Sequence, residues 1–231
     1  MPRRVTALNN HGVKSLQAGH FHEAILSFRH AIEIVNASVS HSKHCLHEQV
    51  IEDSCNDDLV LIRCPVEMVK QSDLEASSPY NMFDMFQSIF SLKEPQTLQG
   101  KQCELSVVLF YNLAVACHLT GLVRQENSSH YLFEAHRFYK LSLSVFKSKS
   151  ECNLDRSQPL VLGILTNLGH LFSHSWRIDE AQLCRNHLET LLFSNAMDEL
   201  LEDEINFFVS AITYASKHDC ILAPAAWKFL K

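Results

Sequence analysis

Glycine and proline are scarce, six of each in 231 residues, which argues against a turn-rich all-β chain and against a disordered low-complexity one. Basic charge is scarce too. Twenty Lys and Arg against 26 Asp and Glu leave a formal net charge of −6, with no surplus to neutralise a phosphate backbone, so nucleic acid is not expected as the primary ligand. No uninterrupted apolar run approaches the roughly 20 residues of a membrane helix, and the opening MPRRVTALNN never reaches an apolar signal core. A soluble, unsecreted protein without membrane contact is expected. CxxC pairs are also missing: the eight cysteines are dispersed, unlike the dense framework of a small secreted domain. They read as reduced, mostly buried thiols in cytoplasm or nucleus. What the chain does have is apolar mass, 46% hydrophobic residues with 14 Phe, enough to fill a sizeable core in one large domain or two small ones.

That mass is arranged at helical spacing, and the spacing recurs. TNLGHLFSHSWRIDEAQ, residues 166–182, follows Leu165 and carries Leu168 before Gly169, then Phe172, Ile178 and Ala181 after it. ALNNHGVKSLQAGHFHEAILSFRHAI has Leu8, Gly12, Gly19, Phe21, Ala24, Phe28 and Ala31 in the same register. LFYNLAVACHLTGL supplies Phe110, Leu113, Ala114 and Gly121, and FEAHRFYKLSL, after about nine extra residues relative to the repeat period, supplies Ala135, Tyr139 and Ser142.

These three stretches resemble the tetratricopeptide repeat family, whose unit of about 34 residues is a pair of antiparallel helices with small residues at their crossing. The resemblance covers about half of the chain. It departs from the pattern where a large aromatic is expected three residues after the small one: Ser15 and Cys117 stand there in the first two copies, and only Phe172 keeps it. It implies an all-α, right-handed superhelical stack of helix pairs in one domain over 1–231. Repeat 1 would span 5–36, repeat 2 101–148 and repeat 3 157–193. Gly12, Ala114 and Gly169 would lie where helix A meets helix B, facing Ala24, Ala135 and Ala181. Such packing offsets the ~1 kcal/mol that a glycine costs inside a helix.

Residues 37–100 do not fit the repeat and read as an irregular insertion. LVLIRC, 59–64, suits a short strand that Pro65 confines to an edge. MFDMFQSIFSL, 82–92, is its partner if it has one, yet Met82, Met85, Phe86, Ile89 and Phe90 also fit helical spacing. Either way so many phenylalanines should pack against the helices. Residues 38–58 and 70–78 are expected to be mobile. At the other end 198–218 reads as a capping helix with Leu201, Ile205, Phe208, Val209 and Ile212 on one face, and Asp198, Glu199, Glu202 and Asp203 at its positive end. The tail, 219–231, would fold back through Ile221, Leu222 and Trp227.

Chemistry-bearing groups are few. His41, His44, Cys45 and His47 are all plausible metal ligands within seven residues, but their spacing matches no known zinc motif, and a solvated loop is the competing reading. His170 and His174 sit four apart without the intervening glutamate of an HExxH site, and read as groove-lining residues. Cys117 and His118 are adjacent on a helix and point in different directions, so they cannot form a thiolate–imidazole couple. No GxSxG, P-loop or dinucleotide motif is present, and no enzymatic activity or cofactor is expected.

One feature recurs in register with the small residues: an asparagine stands two positions before each, at Asn10, Asn112 and Asn167. In the family this place on helix A looks into the concave groove, and similar asparagines in several members hold the backbone of an extended peptide. A side-chain amide offers a C=O acceptor beside an NH2 donor, which matches the main chain irrespective of sequence. The alternative is that each asparagine fixes repeat packing. The family's clamp for a C-terminal carboxylate is not matched, since Asn9, Gly163 and Asn167 occupy its basic positions. The expectation is a non-enzymatic interaction scaffold holding a partner's extended segment in a groove lined by Asn10, Asn112, Asn167, His170 and His174. A metal-binding protein using the cluster at 41–47 is the alternative.

Overall fold

The computed structural model describes residues 2–44, 59–66, 83–93, 102–124, 126–147, 158–193 and 200–213. They are mostly helical, with one small antiparallel sheet. The chain divides into two compact units, Met1–Met68 with Gln87–Cys152, and Val69–Phe86 with Asn153–Lys231.

The first unit holds α1 (Pro2–Gln17), α2 (Phe21–His44), β1 (Leu61–Pro65), β2 (Ser88–Leu92), α3 (Gln102–Val123) and α4 (Ser128–Lys147). Helix α1 stops because Gly19 takes a left-handed conformation, φ 82°, which lets the Gly19 N–H reach Leu16 O and the His20 N–H reach Ser15 O. The chain then reverses and α2 packs on α1. A Cβ on Gly12 would stand 2.7 Å from the Phe28 ring, so glycine is required there by an aromatic side chain of α2. The nearest atoms to that position are those of Phe28, and Ala24 on the same helix is fully buried. Helix α2 also runs past the expected repeat end at 36, as far as His44. Ser38 bonds back to Val35 O at 2.6 Å, satisfying its hydroxyl without leaving the helix.

Helices pack in sequence, α1 on α2, α2 on α3 and α3 on α4. Helix α3 is buried all round from Val107 to Gly121. It is long and apolar enough by composition to cross a membrane, but 83% of its apolar window is buried inside the protein. Ala114 and Ala135 are fully buried between α3 and α4. Tyr111 meets Tyr139 at 6.0 Å, and Ser142 donates to Val107 O.

Segment β2 is extended, which excludes the helical alternative for the stretch ending at Leu92. It pairs antiparallel with β1 in the register Leu61↔Leu92, Arg63↔Phe90 and Pro65↔Ser88. Ile89 and Phe90, neighbours on opposite faces of the pleat, are both buried. A strand buried on two faces loses the alternation that would distinguish it from a helix.

The second unit contains the segment 83–86, α5 (Gln158–His174), α6 (Ile178–Phe193) and α7 (residues 202–213). Its α5–α6 turn repeats the α1–α2 turn 157 positions on, with Trp176 at φ 58° in the place of Gly19. The Trp176 N–H bonds Ser173 O and the Arg177 N–H bonds Phe172 O. Ala181 is fully buried, but the nearest neighbour of Gly169 is again a ring. A Cβ there would meet the Phe83 ring at 2.7 Å, so the glycine makes room for an aromatic residue of the insertion. On α7 the buried face is Glu204, Phe208, Ala211 and Ile212, while Leu201 and Val209 are exposed. The face is rotated from the expected one because Glu204 turns inward and its carboxylate accepts the Leu201 N–H at 2.9 Å, capping the helix start. Glu202 and Asp203 stay exposed in the first turn; Asp198, Glu199 and the tail with Ile221, Leu222 and Trp227 lie outside the described residues.

Candidate functional site

In the first unit, α1 and α3 each present an asparagine to β2. The Asn10 Oδ1 accepts the Leu92 N–H at 2.8 Å while its Nδ2 donates to Leu92 O at 2.8 Å. The Asn112 Oδ1 accepts the Phe90 N–H at 2.9 Å while its Nδ2 donates to Phe90 O at 2.7 Å. Each amide therefore closes a two-point contact with the main chain of a single residue. Asn9 joins them: its Nδ2 donates to Phe90 O at 3.0 Å, and its Oδ1 accepts from Asn112 Nδ2 at 2.9 Å. Tyr111 donates its hydroxyl to Ser88 O at 2.8 Å.

The pleat of β2 explains the spacing. Towards β1 its flanks bond through Gln87 O, which accepts the Val66 N–H, and through the Lys93 N–H, which donates to Val60 O. With that register the peptide groups of 87, 89, 91 and 93 face β1, and those of 88, 90 and 92 face the helices. Tyr111, Asn112 and Asn10 stand on that second edge, where another strand would otherwise be. Side-chain amides here do the work of a missing strand's backbone.

The second unit has one such contact. Asn167 on α5 accepts the Phe86 N–H at 2.7 Å and donates to Phe86 O at 3.1 Å. The Phe86 ring lies 5.4 and 5.0 Å from those of Phe207 and Phe208 on α7. One turn along α5, His170 is 3% exposed, and its ring stacks at 6.4 Å on that of His174. Burial, helped by His174, pushes the His170 pKa down to about 3; burial also lowers that of His174. The expectation that both histidines line a groove is corrected for His170, a neutral core residue, whereas His174 is half-buried.

Asn112 and Asn167 are fully buried and Asn10 partly so. The expected open groove is thus corrected as well: these amides hold the protein's own extended segment. Asn9 and Tyr111 were not expected at the site. The doublet Asn9–Asn10 is the one sequence signal for the former, since adjacent helical residues can reach strand positions two apart.

Other candidates organise less. Cys117 is buried, and desolvation, opposed by Arg29 and reinforced by Glu134, pushes its thiol up to about 12, which leaves no thiolate at neutral pH. The neighbouring His118 contacts Tyr139 Oη at 3.4 Å. Cys64, Cys103, Cys117 and Cys184 are free thiols. His41 and His44 fall within the range of α2, and Cys45 and His47 lie outside the described residues. Among the described residues no group of three His, Cys, Asp or Glu is placed to hold a metal ion. Comparison with protein-family models, curated proteins and solved structures finds no match.

Proposed function

We propose that this chain is a non-enzymatic protein-interaction scaffold, a tetratricopeptide-like stack that holds extended polypeptide by its main chain. The observation that carries the reading is the two-point amide contact, made by Asn10 on Leu92 and by Asn112 on Phe90 in one unit and by Asn167 on Phe86 in the other. Helix packing alone would not place an acceptor and a donor against the N–H and C=O of one residue three times. The repeated turn at Gly19 and Trp176, with the same hydrogen-bond pattern, supports helix pairs of one repeated type. The free cysteines suit a reducing compartment, cytoplasm or nucleus.

The test is affinity capture from the native cell followed by an overlapping peptide array of the captured protein. One linear segment should bind the full chain and lose at least tenfold in affinity to an Asn112→Ala variant. Binding that maps to no linear segment would overturn the reading.

A further inference from the structure

The site in the first unit is occupied, and its occupant says what fits. We propose that β2 is an exchangeable stand-in for a partner segment. It yields its place on Asn9, Asn10, Asn112 and Tyr111 to an extended segment carrying a large aromatic residue two positions before a leucine-sized one. The inference rests on the scaffold reading above and adds the partner's chemistry and its regulation.

Two observations carry it. First, the helices pack on one another without the hairpin: α1 meets α2, α2 meets α3 and α3 meets α4, and β2 adds its own contacts to α1 and α3. Departure of β2 separates none of these three helix pairs. Second, the helices hold β2 through its peptide groups at 88, 90 and 92, which any polypeptide possesses. Selectivity is left to the buried side chains, Phe90, 5.5 Å from the Tyr111 ring, and Leu92 among the held residues, with Ile89 on the other face. A partner offering side chains like Ile89, Phe90 and Leu92, and pairing with β1 as β2 does, recovers the contacts that β2 gives up.

The strand is also not held in place by a tight turn. Twenty-two positions, 66–87, separate Pro65 from Ser88, where two residues suffice for a β-hairpin. Because β2 belongs to the same chain, it competes with a partner as an intramolecular ligand. Partner binding to the native chain is therefore attenuated, and weakening β2 relieves it.

The experiment uses the full chain and a fluorescent peptide of residues 87–93, QSIFSLK. Phe90→Asp loosens the occupant and leaves the asparagines untouched, so the peptide should bind this variant at least tenfold more tightly than the parent. Adding Asn112→Ala should remove that gain. Equal weak binding to parent and Phe90→Asp, or binding indifferent to Asn112→Ala, overturns the proposal. Should Phe90→Asp not fold, amide hydrogen exchange of the parent decides. Exchange at Phe90 and Leu92 a hundredfold or more faster than in the core of α3 supports exchangeability, and exchange in step with α3 overturns it. Failure of the scaffold reading looks different: no segment in the peptide array of a captured protein then binds either form. A permanent β2 would instead leave array binding intact and insensitive to Phe90→Asp.

Discussion

Asn112 holds Phe90 by both of its peptide groups, accepting the N–H at 2.9 Å and donating to the C=O at 2.7 Å, with its own side chain fully buried. The two residues replace a stretch of β-ladder with a single amide. Because nothing else is placed to satisfy the Phe90 N–H, Asn112→Ala leaves a buried donor unpaired and also strips the partner from Asn9 Oδ1. Each such loss costs ~1 to 3 kcal/mol, so urea unfolding should show a destabilisation of about 2 to 4 kcal/mol. Asn10→Ala, at a partly exposed position where water can substitute, should cost less than half as much. Equal, negligible effects at both positions would mean that the amides do not hold the strand.

A second prediction concerns Gly169 and Phe83. A methyl on Gly169 would come to 2.7 Å from the ring, and the ring is fully buried, so Gly169→Ala should overpack at a cost of ~1 to 3 kcal/mol. In a Phe83→Leu background the shorter side chain leaves room, and the same Gly169→Ala change should cost markedly less. The double-mutant cycle measures this coupling directly. Strict additivity would show that the ring is not what the glycine accommodates.

The helix pairs were legible because their information is local: apolar spacing, a glycine at the α1–α2 turn, and the recurrence of Asn10 and Gly12 as Asn167 and Gly169 157 positions on. What those residues touch was not legible. Gly12 and Gly169 were matched to the alanines that the repeat pattern offers, whereas rings fill the space, one from α2 and one from the insertion. Phe83 lies 86 positions from Gly169, and no periodicity carries such a pairing. The same is true of the ladder. Its residue type announced a main-chain grip, but Asn112 and Phe90 are brought together by folding of the insertion, whose both-face burial also hid its strand period. On α7 the inward turn of Glu204 rotated the apolar face away from Leu201 and Val209, since a buried carboxylate with a capping role looks polar in a sequence.

Trp176 yields a third prediction. It occupies the left-handed turn position that Gly19 fills in α1–α2, at φ 58°, and its side chain is 60% exposed. A non-glycine residue in that conformation costs ~1 to 2 kcal/mol, against a smaller entropic penalty for glycine in the unfolded chain. Trp176→Gly should therefore stabilise the protein by about 0.5 to 1 kcal/mol, visible as a higher Tm. A lower Tm would show that contacts of the indole outweigh the backbone strain.

The last prediction is a pH dependence located at His170. In the folded chain its pKa is pushed down to about 3, and in the unfolded chain it returns to about 6.5. Between these values the unfolded state binds a proton that the folded state refuses, so stability rises with pH across this window and is lost as pH falls. Above about 6.5 both states are neutral and the contribution is complete. Below that, the loss is ~1.4 kcal/mol per pH unit, or about 2 kcal/mol by pH 5. His174, whose pKa burial also lowers, adds to the slope with the same sign. Replacing His170 by Gln removes the titrating group while keeping a side chain able to donate and accept. The variant can differ in absolute stability at pH 7.5, since the buried site is altered, but the slope of unfolding free energy against pH between 5 and 6.5 should fall by close to that amount. Chemical denaturation of parent and variant at four pH values measures it. An unchanged slope would mean that His170 takes up its proton in the folded protein, which the buried stack against His174 should prevent.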